Sequence, residues 1–518
     1  MHIGDIQDIL RFHKKLNRNA PRSFDLQGFE AGNNTLSRFY KAILQAKSGS
    51  TDHSIYSAVY GDGLPDEKYH FLKSYFTSIL LDQFLRRHIA KRIDSKLAKG
   101  VYGAQKLYIV ATLLNKLGSK NAAKTLATKA LRHCERFQLR TLSIDLLEDL
   151  RHYAVIDGKT LQYKRYTKEI DDIVELLRAE LEMKNLDQRI RVQLAKTLSI
   201  PNALRSILTE SLVRAEQLAT TYENSYAIQL AHYRIAYMCH QAMGNYEKSI
   251  DSSRGALLYI SSQTHFYSKA RMGEYALYIL ENHLLIHEHS GVKSAIKLCS
   301  QYIVPGSNLW FKYKEYHFLF TMHADEVHLA SAIMKEIFSH DRYELQIEHL
   351  KERWSIYQLS LEYRLWVDQK TRATVGKPVI PLLRYKKYRQ RLRSYPTYTK
   401  DKEGLNIAVL VLNILLLLES GHDAEIIEQM EALSTYRYKY LKGESQTAIL
   451  FRLFTMLIQY NFSYDAVLKK TEKWKKRMES LSKKAFEITE AIQVLPPLWI
   501  WNRVMAILEL RSKRRKAK

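Results

Sequence analysis

The sequence predicts an all-α protein, an irregular α-solenoid of antiparallel helix pairs, and three observations carry that expectation. Only 9 prolines and 19 glycines punctuate 518 residues, while Leu, Ala, Lys, Glu, Gln and Arg, which lose least on entering a helix, dominate the long stretches between them. Runs of alternating β-branched residues bounded by turn signals are scarce, so a sheet has little support. Apolar residues recur at spacings of three and four, and in three places such a row passes through a glycine and starts again. A chain of this length exceeds what one compact core accommodates, which implies several domains or an elongated array.

Residues 1–65 are read as an irregular N-terminal cap, because Gly32-Asn33-Asn34, Ser48-Gly49-Ser50 and Gly61-Asp62-Gly63-Leu64-Pro65 break short helical pieces. The helical pattern then sets in through Phe71, Tyr75, Ile79, Leu80 and Phe84, and 66–370 is expected to hold a helical-repeat array. Its first clear pair buries Leu107, Val110, Ala111, Leu114 and Leu117, turns at Gly118, and buries Ala123, Leu126, Ala127, Ala130 and Leu131. A second places Tyr233, Ala236, Tyr237 and His240 before Gly244, then Ile250, Ser253, Leu257 and Ile260. The stripe Tyr343, Ile347, Leu350, Trp354, Tyr357, Leu361 and Leu365 reads as the core face of a long helix.

Gly376, Pro378, Pro381 and Pro396 interrupt this pattern, so 371–404 is read as a basic hinge segment. C-terminal helical repeats follow over 405–510. They open with the apolar run Ile407 to Leu418, whose 12 residues fall short of the roughly 20 needed to span a bilayer and therefore suit a buried helix. The third pair runs Leu410, Ile414 and Leu417, then Gly421, then Ile427, Met430 and Leu433. The last eight residues, 511–518, hold six basic side chains and are expected to be a disordered, solvated tail.

The Gly118 pair resembles a tetratricopeptide repeat: Ala111, Gly118, Ala123, Ala130 and Leu131 fall where that motif has its small residues, turn glycine and closing Ala-Leu. Gly244-Asn245-Tyr246-Glu247-Lys248-Ser249-Ile250 matches its turn too, although Tyr237, Ser253 and Ser261 depart from its small, aromatic and proline positions. The three turn glycines lie 126 and 177 residues apart, which are not multiples of a roughly 34-residue period, so the resemblance implies a degenerate array. Tyr398 to Ile407, Ile426 to Leu433 and Glu352 to Tyr357 are similar to a group of bacterial helical-repeat proteins without an assigned activity. That likeness implies a cytoplasmic bacterial protein and brings no site residues with it.

The balance of 80 Lys+Arg against 54 Asp+Glu gives a net charge of +26, whose field attracts acidic proteins, nucleic acid and anionic lipid alike. Cys134, Cys239 and Cys299 are far apart and form no CxxC pair, which argues against a disulfide framework or a structural zinc site and favours a reducing compartment. Met1 to Asp8 carries acidic residues where a secretory leader needs basic ones. Asp157-Gly158-Lys159-Thr160 ends like a phosphate-binding loop, but Tyr153 stands where the opening glycine belongs, so a helix-ending turn is expected. Gly61-Asp62-Gly63 lacks the third glycine of a dinucleotide loop.

His283 and His287 are four apart and can share one helix face, with Glu288 nearby and His289 directed elsewhere; they are read as partly exposed helix histidines rather than metal ligands. His323 and His328, five apart, diverge on a helix. No nucleophile elbow, His-Glu-x-x-His helix or redox pair occurs, so a binding protein without catalytic residues, cofactor or metal is expected. The positive candidate is a polyanion-binding segment: Arg384, Lys386, Lys387, Arg389, Arg391 and Arg393 place six cations in ten residues around Tyr385 and Tyr388. The expected role is a protein–protein interaction scaffold with an acidic partner. The alternative is sequence-nonspecific binding of RNA or DNA through the basic patches, among which Lys469-Lys470 and Lys473 to Arg477 form a second stretch.

Overall fold

The computed structural model describes residues 34–46, 50–86, 96–196, 202–372, 405–429, 445–481 and 494–516, together with Ile3, Ile6, Gln7, Leu10 and Gly32. Every regular element among these residues is an α-helix, as the composition predicts. Two compact units divide the chain, 1–133 and 134–518.

The first unit contains α1 (Thr35–Gln45), α2 (Asp52–Tyr60), α3 (Glu67–Arg86), α4 (Lys96–Lys116) and most of α5 (Lys120–Phe137), within which the division falls. Asn34, one of the residues expected to separate short helical pieces, caps the piece that follows it. Asn34 accepts a hydrogen bond from Ser37 N–H and Thr51 from Ser54 N–H, so each satisfies an orphan donor of the first turn. Ile3, Ile6 and Leu10 share one core with Phe39, Tyr40, Ile43, Ile55, Val59, Tyr69 and Phe76. That core crosses Pro65, which corrects the reading of 1–65 as a separate irregular cap. On α3 it is Tyr69 and Phe76 that are buried, whereas Phe71 and Tyr75 are exposed and stack on each other at 6.2 Å. The Gly118 pair is buried unevenly: Ala111, Ala123, Ala127, Ala130 and Leu131 lie inside, but Val110 and Leu117 face solvent.

The second unit continues with α6 (Arg140–Ile156), α7 (Thr160–Lys196) and α8 (Asn202–Thr221). Three helix pairs follow: α9 (Tyr226–Ala242) with α10 (Tyr246–Ser262), α11 (Lys269–Leu285) with α12 (His289–Tyr302), and α13 (Asn308–His323) with α14 (Val327–Phe338). Beyond them lie α15 (Glu348–Arg372), α16 (Leu405–Ser420), α17 (Gln446–Gln459), α18 (Tyr464–Leu481) and α19 (Pro497–Lys516), the last with proline at its first position, where a missing N–H costs nothing. Helices pack mainly on their sequence neighbours, and α9 also packs on α7 and α13 on α11. The helices α9, α11, α13 and α15 begin at residues 226, 269, 308 and 348, a period of about 40 residues rather than the 34 of the tetratricopeptide motif.

A left-handed residue closes helix after helix. Gly118, Gly158, Gly244 and Gly421 have φ of +82°, +66°, +81° and +79°. After each, the next N–H reaches back across the turn: Ser119 to Leu114 O, Lys159 to Ala154 O, Asn245 to His240 O and His422 to Leu417 O. Gln138, His287 and Asn461 do the same without being glycine, at φ of +53°, +56° and +47°. The spacing of the turns therefore sets the repeat.

Ala236, Tyr237, Ile250, Ser253 and Ile260 are buried as expected, with Tyr233, His240 and Leu257 half-buried. Helix α15 starts only at Glu348, so Ile347 drops out of the predicted stripe and is exposed, while Trp354, Tyr357 and Leu361 are buried. Helix α16 is almost wholly enclosed from Val411 to Leu418, and no helix among the described residues is long and apolar enough to cross a membrane. One apolar cluster extends from Ile250 to Leu508, so the helices of 405–510 are not a separate core. Residues 373–404, which make up almost all of the expected hinge, lie outside the described residues, as do Met430 and Leu433. The tail expected from Arg511 is corrected: α19 runs on to Lys516, anchored by Arg511, which donates to Asp423 Oδ1 at 2.8 Å and to the Leu418 carbonyl.

A Cβ added at Gly244 would meet no neighbouring atom within 4 Å, so the cost of Gly244→Ala is only the strain of holding alanine at φ +81°, about 1 kcal/mol. Gly103, inside α4 with equally open surroundings and no positive φ, is the control: Gly103→Ala is expected to stabilise by up to about 1 kcal/mol. Denaturant melts of the two variants check both signs.

Candidate functional site

The six predicted polyanion-binding residues, Arg384, Lys386, Lys387, Arg389, Arg391 and Arg393, lie outside the described residues. The histidine pair resolves differently from its spacing. Helix α11 ends at Leu285, so His287 leaves the helix in the left-handed region while His283 stays inside it, buried, with Nδ1 2.8 Å from Glu288 Oε2. The reversal brings His287 and His289 together rather than apart: with His323 they line a cavity of about 40 Å³ floored by Leu284, Val292, Leu319 and Phe320. His323 ends α13 and His328 stands in the first turn of α14. Among the described residues no group of three or more His, Cys, Asp or Glu has the geometry to hold a metal ion. Gly158 forms a helix-closing turn, and Lys159 pairs with Asp157 at 3.3 Å instead of framing a phosphate loop. All three cysteines are buried, which pushes the Cys134 thiol up to about 11 and those of Cys239 and Cys299 to about 12. Such thiols are poor nucleophiles.

The densest convergence of polar groups instead runs across α7, α9, α11, α13 and α15. Asp187 on α7 is buried and accepts from Arg234 Nε and Nη2 on α9 at 2.8 and 3.0 Å, and from Arg191 at 2.6 Å. One turn further along α9, Tyr237 stacks on Tyr278 of α11 at 3.9 Å and donates to Glu281 Oε2 at 2.9 Å. Tyr316 of α13 donates to the same Glu281. Beside it, Glu315 is buried between helices: it accepts from Lys312 at 3.0 Å, from Arg353 of α15 at 3.0 Å and from the Tyr357 hydroxyl at 2.7 Å. A third buried carboxylate, Glu419 on α16, takes Arg503 of α19 at 2.8 Å and the Tyr363 hydroxyl at 3.2 Å.

The electrostatics follow from burial set against partners. Burial by itself would raise the Glu315 carboxyl, but Lys312 and Arg353 with the Tyr357 hydroxyl outweigh it and hold the group at about 2. Burial first, and the neighbouring carboxylates second, push the Tyr237, Tyr316 and Tyr357 hydroxyls well above the usual phenol range. The Glu315 carboxylate is therefore ionised and matched by Lys312 and Arg353, and these three phenols keep their protons. Neither Glu315 nor these phenols changes protonation near neutral pH. The row can present positive charge at its edge, since Arg234 is 28% and Lys312 40% exposed.

Apart from the within-helix pairs Asp187–Arg191 and Lys312–Glu315, the contacts of this row join helices about 40 residues apart in the chain, which local sequence does not report. The available signal was the coincidence of tyrosine and charge in each of those helices: Tyr233-Arg234, Glu274-Tyr275, Lys312-Tyr313-Lys314-Glu315-Tyr316 and Glu352-Arg353-Trp354. No protein-family model matches the chain, and no curated protein matches it either.

Glu315→Gln removes the charge that balances buried Arg353 and is expected to cost on the order of 3 kcal/mol in a denaturant melt. Acid acts in two windows. Burial lowers His287 and His317 to about 4 in the folded chain from the ordinary 6.5, so the unfolded chain binds more protons as pH falls from 6.5 towards 4, and stability drops there. Glu315, depressed to about 2 from 4.5, contributes stability that is lost only as pH falls from 4.5 through 2. Thermal melts across pH should show both declines, with His317→Gln flattening the upper one alone.

Proposed function

We propose that the protein is a non-enzymatic scaffold of the α-solenoid kind, tetratricopeptide-like in plan, which holds an acidic partner protein along α9, α11, α13 and α15. The observation that carries this reading is the row from Asp187 to Tyr357, in which alternate helices contribute paired polar groups over buried aromatic rings, with Arg234 and Lys312 part-exposed at its edge. Helix pairs that recur about every 40 residues and pack chiefly on their neighbours support an extended surface on which many modest contacts add up. The net charge of +26 favours an acidic partner. Three buried, unbridged thiols suit a reducing bacterial cytoplasm.

A second reading, nonspecific nucleic-acid binding, rests on the six cations and two tyrosines of 384–393. Recovery of the tagged chain from its host at moderate salt, with and without nuclease, tests both. The scaffold reading expects stoichiometric, nuclease-resistant protein whose recovery falls when Arg234 and Lys312 are changed to alanine. Nucleic acid that is lost with Lys386→Glu, Lys387→Glu and Arg389→Glu, and no such protein, is the outcome that replaces it.

A further inference from the structure

The second surface lies on α4, in the unit formed by residues 1–133, and shares no residue with the row described above. Its buried side is made of small residues, Gly100, Ala104 and Ala111. The opposite side carries Ile109, Leu113 and Leu117, which are 54%, 54% and 81% exposed. Single exposed aliphatics are ordinary on any protein surface, but these three stand four residues apart and so form one continuous ridge, with exposed Val110 beside it. A ridge at this spacing is the shape that fits the groove between side-chain rows of another helix. Left in water, it has no use in this unit's own core.

The charge around the ridge is one-sided. From Ser95 to Cys134 the chain has eight Lys or Arg and no Asp or Glu. Lys99, Lys106, Lys116 and Lys120 are exposed along or beside the ridge. An occupant must therefore bring its own carboxylates as well as an apolar face.

We infer that this face of α4 is a docking surface for an acidic amphipathic helix of a partner protein. The residue types favour that occupant over the other polyanions. Nucleic acid is held by cations interleaved with aromatic rings on which bases stack, whereas the exposed apolar groups here are aliphatic and Tyr102 and Tyr108 of α4 are half-buried. A helix lying in a membrane interface combines lysines with exposed Trp, Phe or Leu on a broad apolar face, and α4 offers a single narrow ridge. Apolar side chains at positions i, i+4 and i+8 of the partner would interleave with Ile109, Leu113 and Leu117, and flanking carboxylates would meet Lys106 and Lys116.

The probe is a fluorescent synthetic peptide of about 20 residues, helical, with leucines on one face and glutamates flanking them, titrated into the full chain and read by anisotropy. A scrambled peptide of the same composition and vesicles of mixed phosphatidylserine and phosphatidylcholine are run beside it. The ordered peptide is expected to bind at least about tenfold more tightly than the scrambled one and to lose that advantage with Leu113→Asn and Leu117→Asn. Both positions are exposed, and circular dichroism confirms that the variants keep their helix content. In a second variant Lys106→Glu and Lys116→Glu should reject the glutamate peptide and accept its lysine counterpart. Equal binding of ordered and scrambled peptides, absence of peptide binding, or capture of the vesicles in place of the peptide overturns the inference.

Discussion

The left-handed residue that follows the first helix of each pair is the constraint from which much of the second unit follows. A helix leaves its last carbonyls without partners, and the reach of Asn245 N–H to His240 O or Glu288 N–H to His283 O satisfies one of them while reversing the chain. Because the reversal takes only three residues between α9 and α10, and between α11 and α12, the two helices of a pair must lie antiparallel and in contact. Helix length then becomes the variable that sets the repeat. First helices of 16 and 17 residues set a longer period than the tetratricopeptide motif, and that longer period brings Glu315 of α13 opposite Arg353 of α15.

Burying Glu315 and Arg353 together is not an obvious source of stability, since two desolvated charges often do no better than a pair of apolar residues of the same size. What the pair does is penalise every other arrangement. A slip of one residue along α15 rotates its side chains by about 100° and would leave Arg353 facing apolar neighbours with no carboxylate. Asp187 with Arg234, Glu281 with two tyrosines and Glu419 with Arg503 impose the same penalty at other helix contacts. A shape made of many similar apolar helices is prone to alternative registers, and this row of obligatory partners removes that freedom. On the proposed scaffold reading, a surface pinned in this way would lose less conformational entropy on binding.

The turns at Gly118, Gly158, Gly244 and Gly421 were legible because glycine is the one residue that enters the left-handed region without steric penalty. Gln138, His287 and Asn461 occupy the same conformation and left no such mark. Gln138 shows why a side chain was kept: its amide donates to Asn224 O and accepts from Tyr226 N–H, and glycine would lose both bonds. The missed turn at His287 also reversed the histidine reading, since an i, i+4 argument holds only while the helix continues. The starts of α1 and α2 were not legible for a related reason: Asn34 and Thr51 are turn formers by composition, and only the position of the following amides shows that they are N-caps. The polar row was illegible because its members meet across the period of the fold, which local spacing cannot report.

Charge distribution separates surface from scaffold. Residues 95–134, 384–393 and 511–518 contain eight, six and six cations and no Asp or Glu, so 20 of the 26 excess positive charges fall in 58 of the 518 residues. Over the rest of the chain cations and carboxylates nearly cancel. A charge spread for solubility would be interspersed with its opposite, because large single-sign fields oppose folding by self-repulsion. Concentrating it in three segments accepts that repulsion locally. In the α4 segment the concentration coincides with an exposed aliphatic ridge, and the two features together demand of an occupant both apolar side chains and carboxylates, a combination that neither a nucleic-acid backbone nor free counterions provide.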